Sequence, residues 1–281
     1  MTVPAGPAPM RAAYPSSTVA AGVLTSVVAG ALVAASLGGR AALAGAVFPL
    51  QLLLVVGWLG ALRVRAGLGA AGIAIGAAAI ADVLVATGPA DARRLLAVNA
   101  VGLLVALIHQ LTRRDGRPGL TASLAGTVSA IALVCALATF AALRAGKGGS
   151  SAALIALGAA AGALLVAWLC DFVATRPAIS GVPMRGWIGL LLGLGVACAI
   201  GAGVGAARDE IGVSSGVLIG GAVAAVALAV GVGVDLARVT AASARPTEAR
   251  RRTVGLVPLA VVLPLAAAAP VAYVTGRILV G

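Results

Sequence analysis

Few residues of this chain can do chemistry, and the most informative are acids and arginines at the ends of apolar runs. Asp171 closes Trp168-Leu169-Cys170-Asp171, and Asp235 sits in Gly233-Val234-Asp235-Leu236-Ala237-Arg238. A basic stretch follows each. After Asp171 come Arg176, Ile179-Ser180-Gly181 and Arg185; after Arg238 come Arg245 and Arg250-Arg251-Arg252. Two carboxylates on one aqueous face can help hold a divalent ion against phosphate. Arginine forks bind phosphate bidentately, so Arg176, Arg185, Arg238 and Arg250 to Arg252 also read as a ring for an anionic headgroup. A plainer reading stands beside this one. Each acid neutralises its neighbouring arginine, Arg176 or Arg238, and the arginines only set topology.

Two polar residues lie deeper. Asp82 is well inside an apolar run, where a charge is costly and is therefore either functional or hydrogen-bonded to a neighbouring helix. Asn99, in the next run, is a candidate partner for it. His109 is the single histidine and falls near a run's end, where it reads as interfacial. Cys135, Cys170 and Cys198 lie in or at the ends of apolar runs and read as small apolar residues. The chain has no phosphate-binding glycine loop ending in Lys-Ser/Thr, no His-Glu-x-x-His, no zinc-spaced cysteine pair and no Gly-x-Ser-x-Gly. With one histidine and 8 Asp+Glu, little is left for acid–base catalysis.

The elements that must carry these residues are membrane helices. Of 281 residues, 61% are hydrophobic and 10% charged, and the mean hydropathy is +1.12. A water-soluble domain is about 25% charged, so this chain lacks the polar residues to cover one. Disorder, collagen and disulfide scaffolds are excluded by the same numbers, and a membrane barrel by the long unbroken runs. The net charge of +12 does not call for nucleic acid, because the basic residues sit in short bursts between runs. Topology and anionic lipid select that pattern.

Nine runs are long enough to span a bilayer: 19–37, 41–62, 67–87, 95–112, 120–143, 151–170, 187–207, 213–237 and 254–280. Glycine and proline mark the breaks, as in Gly38-Gly39-Arg40, Gly88-Pro89, Asp115-Gly116-Arg117-Pro118-Gly119 and Gly146-Lys147-Gly148-Gly149. The first run exceeds a signal-peptide core and reads as a retained helix behind a mobile, Pro/Ala-rich tail, 1–18. With alternating crossings, 13 Lys+Arg fall on the N-terminal side and 7 on the other. This predicts the N-terminus inside and the C-terminus outside. Trp58, Trp168 and Trp187 fall near the inner ends, as interfacial anchors do. Glycines four apart (Gly72/Gly76, Gly158/Gly162, Gly189/Gly193, Gly201/Gly205 and Gly216/Gly220) offer small faces for tight helix packing. Pro258, Pro264 and Pro270 in the last run are tolerable only against protein or water.

From residue 150 onward the order of these fragments resembles the integral-membrane phosphatidate cytidylyltransferases, or CDP-diacylglycerol synthases. Asp171, then Ile179-Ser180, then Gly189 to Gly195 are similar to that family's Asp, Ile-Ser-Pro-Lys-Lys-Thr and glycine-rich helix. Val234-Asp235-Leu236-Ala237-Arg238 is similar to its Gly-Asp-Leu-x-Glu-Ser element, and Ala269-Pro270-Val271 to a stretch of its last helix. The resemblance implies a nine-helix fold, a phospholipid and nucleotide pocket at the cytoplasmic face, and Mg as cofactor. The departures fall on the catalytic motif. Gly181-Val182-Pro183 replaces the paired lysines, Arg238 replaces a glutamate, and apolar Val261 to Leu263 stand where the family carries an Asp pair.

The sequence therefore reads as an all-α, polytopic bundle of about nine transmembrane helices in the plasma (inner) membrane. Its five-helix half is 19–143, and its four-helix half, 151–281, resembles the cytidylyltransferase core. The expected function is non-catalytic: a scaffold or lipid-binding pseudoenzyme. Its headgroup site comprises Asp171, Arg176, Ser180, Arg185, Asp235 and Arg238, its ligand is anionic phospholipid, and a membrane protein is a further candidate partner. An active phosphatidate cytidylyltransferase and a small transporter are the alternatives.

Overall fold

The computed structural model describes residues 14–64, 67–89, 91–113, 119–173, 178–179, 182–183, 186–242 and 246–280. Nine helices run through them. They are α1 (Tyr14–Leu37), α2 (Arg40–Ala61), α3 (Gly67–Thr87), α4 (Arg93–Thr112), α5 (Leu120–Arg144), α6 (Gly149–Val173), α7 (Trp187–Ala207), α8 (Val213–Ala242) and α9 (Pro246–Val280). Each matches a predicted apolar run to within a few residues at its ends or extends beyond it, and eight are long and apolar enough to cross a membrane. The chain is a multi-pass helical membrane protein. In lipid a helix satisfies its own backbone polar groups, which is why unbroken apolar runs translate so directly into helices.

The helix ends follow local chemistry. Gly119 and Gly148 take left-handed φ values of 67° and 57° immediately before α5 and α6, a conformation that costs glycine little. α1 starts at Tyr14, five residues ahead of the predicted run, so 14–18 are helical rather than tail. Pro15 suits this place, since a first-turn residue needs no backbone N–H. α9 runs continuously through Pro258, Pro264 and Pro270. The carbonyls that Pro264 and Pro270 leave unbonded belong to Ala260 and Ala266, both buried in the bundle as a proline-bearing membrane helix requires. Between α6 and α7 the chain forms a short antiparallel ladder, β1 (Ala178–Ile179) with β2 (Val182–Pro183), pairing Ala178 with Pro183 and Ile179 with Val182.

Successive helices alternate in direction, and α5 and α9 form the middle. α5 packs on α2, α3, α4, α6 and α9, while α9 also packs on α1, α2, α6 and α8. The two sequence halves thus share one core, in which Leu54, Phe140, Leu164, Ile219 and Val262 are all buried. Polar bonds pin both ends. At one end Trp58 Nε1 donates to Ser129 Oγ at 2.8 Å, and Gln110 Nε2 to Ser123 Oγ at 2.9 Å. At the other, Arg40 Nη1 donates to the Gly88 carbonyl at 2.7 Å and Arg144 Nε to the Ser36 carbonyl at 2.9 Å. The first end collects the C-termini of α2, α4, α6 and α8; it is called the arginine-rich end below, after the arginines that the sequence places around it.

Candidate functional site

Asp171 and Asp235 both fall on the arginine-rich end, in α6 and α8. One turn before Asp171, Trp168 packs in an apolar cluster with Val234, the residue before Asp235, and with Ala260 of α9. Trp168 is therefore a core residue, 6% exposed, and not the interfacial anchor predicted for it; Trp187, at 67%, has the exposure of an anchor. A buried indole here is what holds the three helix ends together, because it offers a large apolar surface to both partners.

Asp171 is buried, and its Oδ1 accepts a hydrogen bond from the backbone N–H of Gly186 at 2.9 Å. Gly186 is the residue that opens α7. The carboxylate thus sits at the positive end of the α7 dipole and ties the end of α6 to the start of α7. Asp235 is half-buried on α8. Arg238 follows on the same helix, and Arg250 to Arg252 fall on the first turns of α9. Arg176, Ser180 and Arg185, predicted for the same site, lie outside the described residues.

Beside this cluster is an apolar cleft of about 460 Å³, lined by Trp58, Ala61 and Leu62 from the end of α2, Val230, Gly233, Val234 and Ala237 from α8, and Leu256, Leu259 and Leu263 from α9. Sequence reasoning did not find it. Its walls are ordinary membrane-helix residues, and only the departure of α8 from α2 makes a groove of them. Its one polar wall group, the Trp58 indole N–H, is turned to Ser129.

The expected divalent-metal chemistry has a poor donor set. No group of three or more His, Cys, Asp or Glu gathers among the described residues. Asp171 Oδ1 already serves the Gly186 amide. A metal–triphosphate site needs several carboxylates and cations around it. The described residues do not fit Mg.

The deeper polar residues form a second site, differing from the predicted one. Asp82 is buried in the bundle, and its partner is Gln51 of α2: Gln51 Nε2 donates to Asp82 Oδ1 at 3.1 Å and to the Val134 carbonyl of α5 at 2.9 Å. Asn99, the partner expected from sequence, instead turns its Nδ2 to the Leu95 carbonyl of its own helix at 3.1 Å. The signal in the sequence is Gln51 itself, an amide inside the apolar stretch Leu50 to Val56. Above this pair, toward the other end, lies a cleft of about 590 Å³ between α4, α5 and α9. Asp91, Arg93, Asn99, Cys135, Thr139, Tyr273 and Arg277 are among its walls. Tyr273 Oη accepts the backbone N–H of Ala92 at 3.2 Å, which fixes the cleft's rim. His109 lies at the arginine-rich end against Gly69, where a Cβ would strike its ring. Comparison with protein-family models, characterised proteins and solved structures finds no match for this chain.

Proposed function

We propose that the protein binds an anionic phospholipid at its arginine-rich end and catalyses no reaction on it. A glycerophospholipid presents two surfaces, apolar chains and a charged phosphate, and a site for it needs both counterparts. The observation that carries the reading is the apolar cleft of about 460 Å³ between the ends of α2, α8 and α9. It adjoins the stretch of sequence that bears Arg238 and Arg250-Arg251-Arg252. Chains in the cleft would leave a phosphate at the level of those arginines, and guanidinium is the side chain best matched to phosphate geometry. Arg176, Ser180 and Arg185 belong to the same proposed rim. The resemblance to phosphatidate cytidylyltransferases supports a phosphatidate-like headgroup and the plasma (inner) membrane as the setting. The departures from that family's catalytic motif, at Gly181-Val182-Pro183, Arg238 and Val261 to Leu263, support the non-catalytic half of the proposal.

Lipid retention tests it. Protein purified in mild detergent is extracted and its lipids are quantified by mass spectrometry. Anionic phospholipid is expected in excess over its share of the membrane. Two variants should lower it by different routes. Replacing Arg250, Arg251 and Arg252 by Gln removes phosphate partners. Gly233→Leu fills the cleft, since a Cβ at Gly233 meets nothing within 4 Å. Retention unchanged in both variants, or a lipid complement matching the bulk membrane, would end the proposal. CTP- and Mg-dependent turnover of phosphatidate by the purified protein would replace it with the cytidylyltransferase reading.

A further inference from the structure

The Asp82–Gln51 pair lies in a different part of the molecule and is independent of the lipid reading. Asp82 is 7% exposed and Gln51 fully buried. Gln51 Nε2 serves two acceptors, Asp82 Oδ1 and the Val134 carbonyl. That fixes the amide's orientation, because the flipped amide would set Oε1 against both. Gln51 Oε1 and Asp82 Oδ2 then face no donor among the described residues. Two buried oxygens, one from a carboxyl group, need a proton or a metal cation to offset their desolvation.

The charged and titratable groups on the helices packed around α3 do not provide one. Arg40 of α2 directs Nη1 to the Gly88 carbonyl. Arg94 of α4 lies against Gly88 as well, six residues or about 9 Å along the axis from Asp82. Arg93 starts α4, and His109 lies at that helix's far end. Arg144 of α5 is bonded to Ser36 at the end of the bundle. Cys135 of α5 brings a free thiol and no cation.

We propose that Asp82 and Gln51 form an intramembrane site for a small monovalent cation, a proton or sodium, reached through the cleft between α4, α5 and α9. Cys135 forms part of the cleft wall and directly follows Val134, whose carbonyl anchors Gln51. The cleft's other polar walls, Asp91, Asn99, Thr139 and Tyr273, supply oxygens along the approach. Arg93 and Arg277 flank the same cleft, and their charge opposes a sodium ion more than a proton relayed through hydroxyls.

Carbodiimide labelling reads this site, because dicyclohexylcarbodiimide attacks protonated carboxyl groups in apolar surroundings. The full chain in detergent is labelled at mildly acidic and mildly alkaline pH, in sodium chloride or choline chloride, and the adduct is mapped by mass spectrometry. An adduct on Asp82 that fades at alkaline pH and ignores sodium identifies a proton as occupant. An adduct that sodium suppresses identifies sodium. Asp82→Asn, which keeps an acceptor for Gln51, should abolish labelling while unfolding at the same temperature. Infrared difference spectra across the same pH and sodium steps report the carboxyl group directly, so a reagent that fails to enter cannot imitate a negative result. If neither method finds an Asp82-dependent change, the proposal is overturned.

Discussion

Where α7 crosses α8, a Cβ on Gly201 would strike the carbonyl of Gly216, and a Cβ on Gly216 would strike the carbonyl of Gly201. At Gly72 and Gly76 of α3 a Cβ would meet nothing within 4 Å. Both regions draw on the same signal, small residues four apart. In the α6–α7–α8 sheaf the signal is used in full. Gly189 and Gly193 lie on the Ala167 and Ala163 backbone of α6, and Gly220 lies on Ala197 of α7. On α3 the buried face is a different one, made of Ala70, Ala74, Ala77, Ala78, Ala81, Asp82 and Val85. Gly72 and Gly76 instead border an open apolar groove of about 390 Å³ between α3 and α4. In lipid there is little hydrophobic gain from joining two helices, so backbone proximity and dispersion must hold them. A glycine contributes only where a partner backbone comes close enough to use the space.

The comparison is broken most strongly at the seam. Gly201→Leu should cost on the order of 3 kcal/mol, since neither backbone can move without opening α7 from α8. An SDS unfolding titration measures it, and an unchanged midpoint would show that the seam is looser than described. Gln51→Leu comes next. It strips the donor from Asp82 Oδ1 and should cost about 1–3 kcal/mol, whereas Asp82→Asn should stay near wild type. The exposure of Cys135, buried and free in the fold, to a thiol-reactive fluorophore on heating reports this difference. Equal losses in the two variants would mean that the pair is not hydrogen-bonded as described. Trp58→Phe keeps the ring in the cleft but removes the bond to Ser129, a loss of about 1 kcal/mol. Last, Gly72→Ala with Gly76→Ala should raise stability slightly, by about 0.5–1 kcal/mol for each helical glycine removed from open space. A loss there instead would place a partner in the α3–α4 groove.

Much of the architecture was legible beforehand. The nine helices coincide with the nine apolar runs, and breaks such as Gly38-Gly39, Asp115 to Gly119 and Gly146 to Gly148 fall between them. The candidate sites were legible only in part. The sequence marks Asp171 and Asp235 as acids at run ends, and they lie on one end of the bundle, yet the bond from Gly186 to Asp171 has no trace in residue spacing. Asp82 stands out in the sequence as a buried charge, but its partner is Gln51 and not the expected Asn99. Asn99 and Gln51 are equally polar, and only the rotation of α4 and α2 about their axes decides which one faces α3.

Hydropathy along the chain determined which segments enter the membrane, because each run must be solvated by lipid on its own account and backbone bonds close within it. Which faces meet was decided by the tertiary structure alone. The difference in free energy between one helix rotation and another comes from contacts between segments far apart in the chain, such as Gly201 with Gly216, Trp168 with Val234 and Gln51 with Asp82. In so uniform a sequence of Ala, Gly, Val and Leu, no local pattern distinguishes those faces from their neighbours.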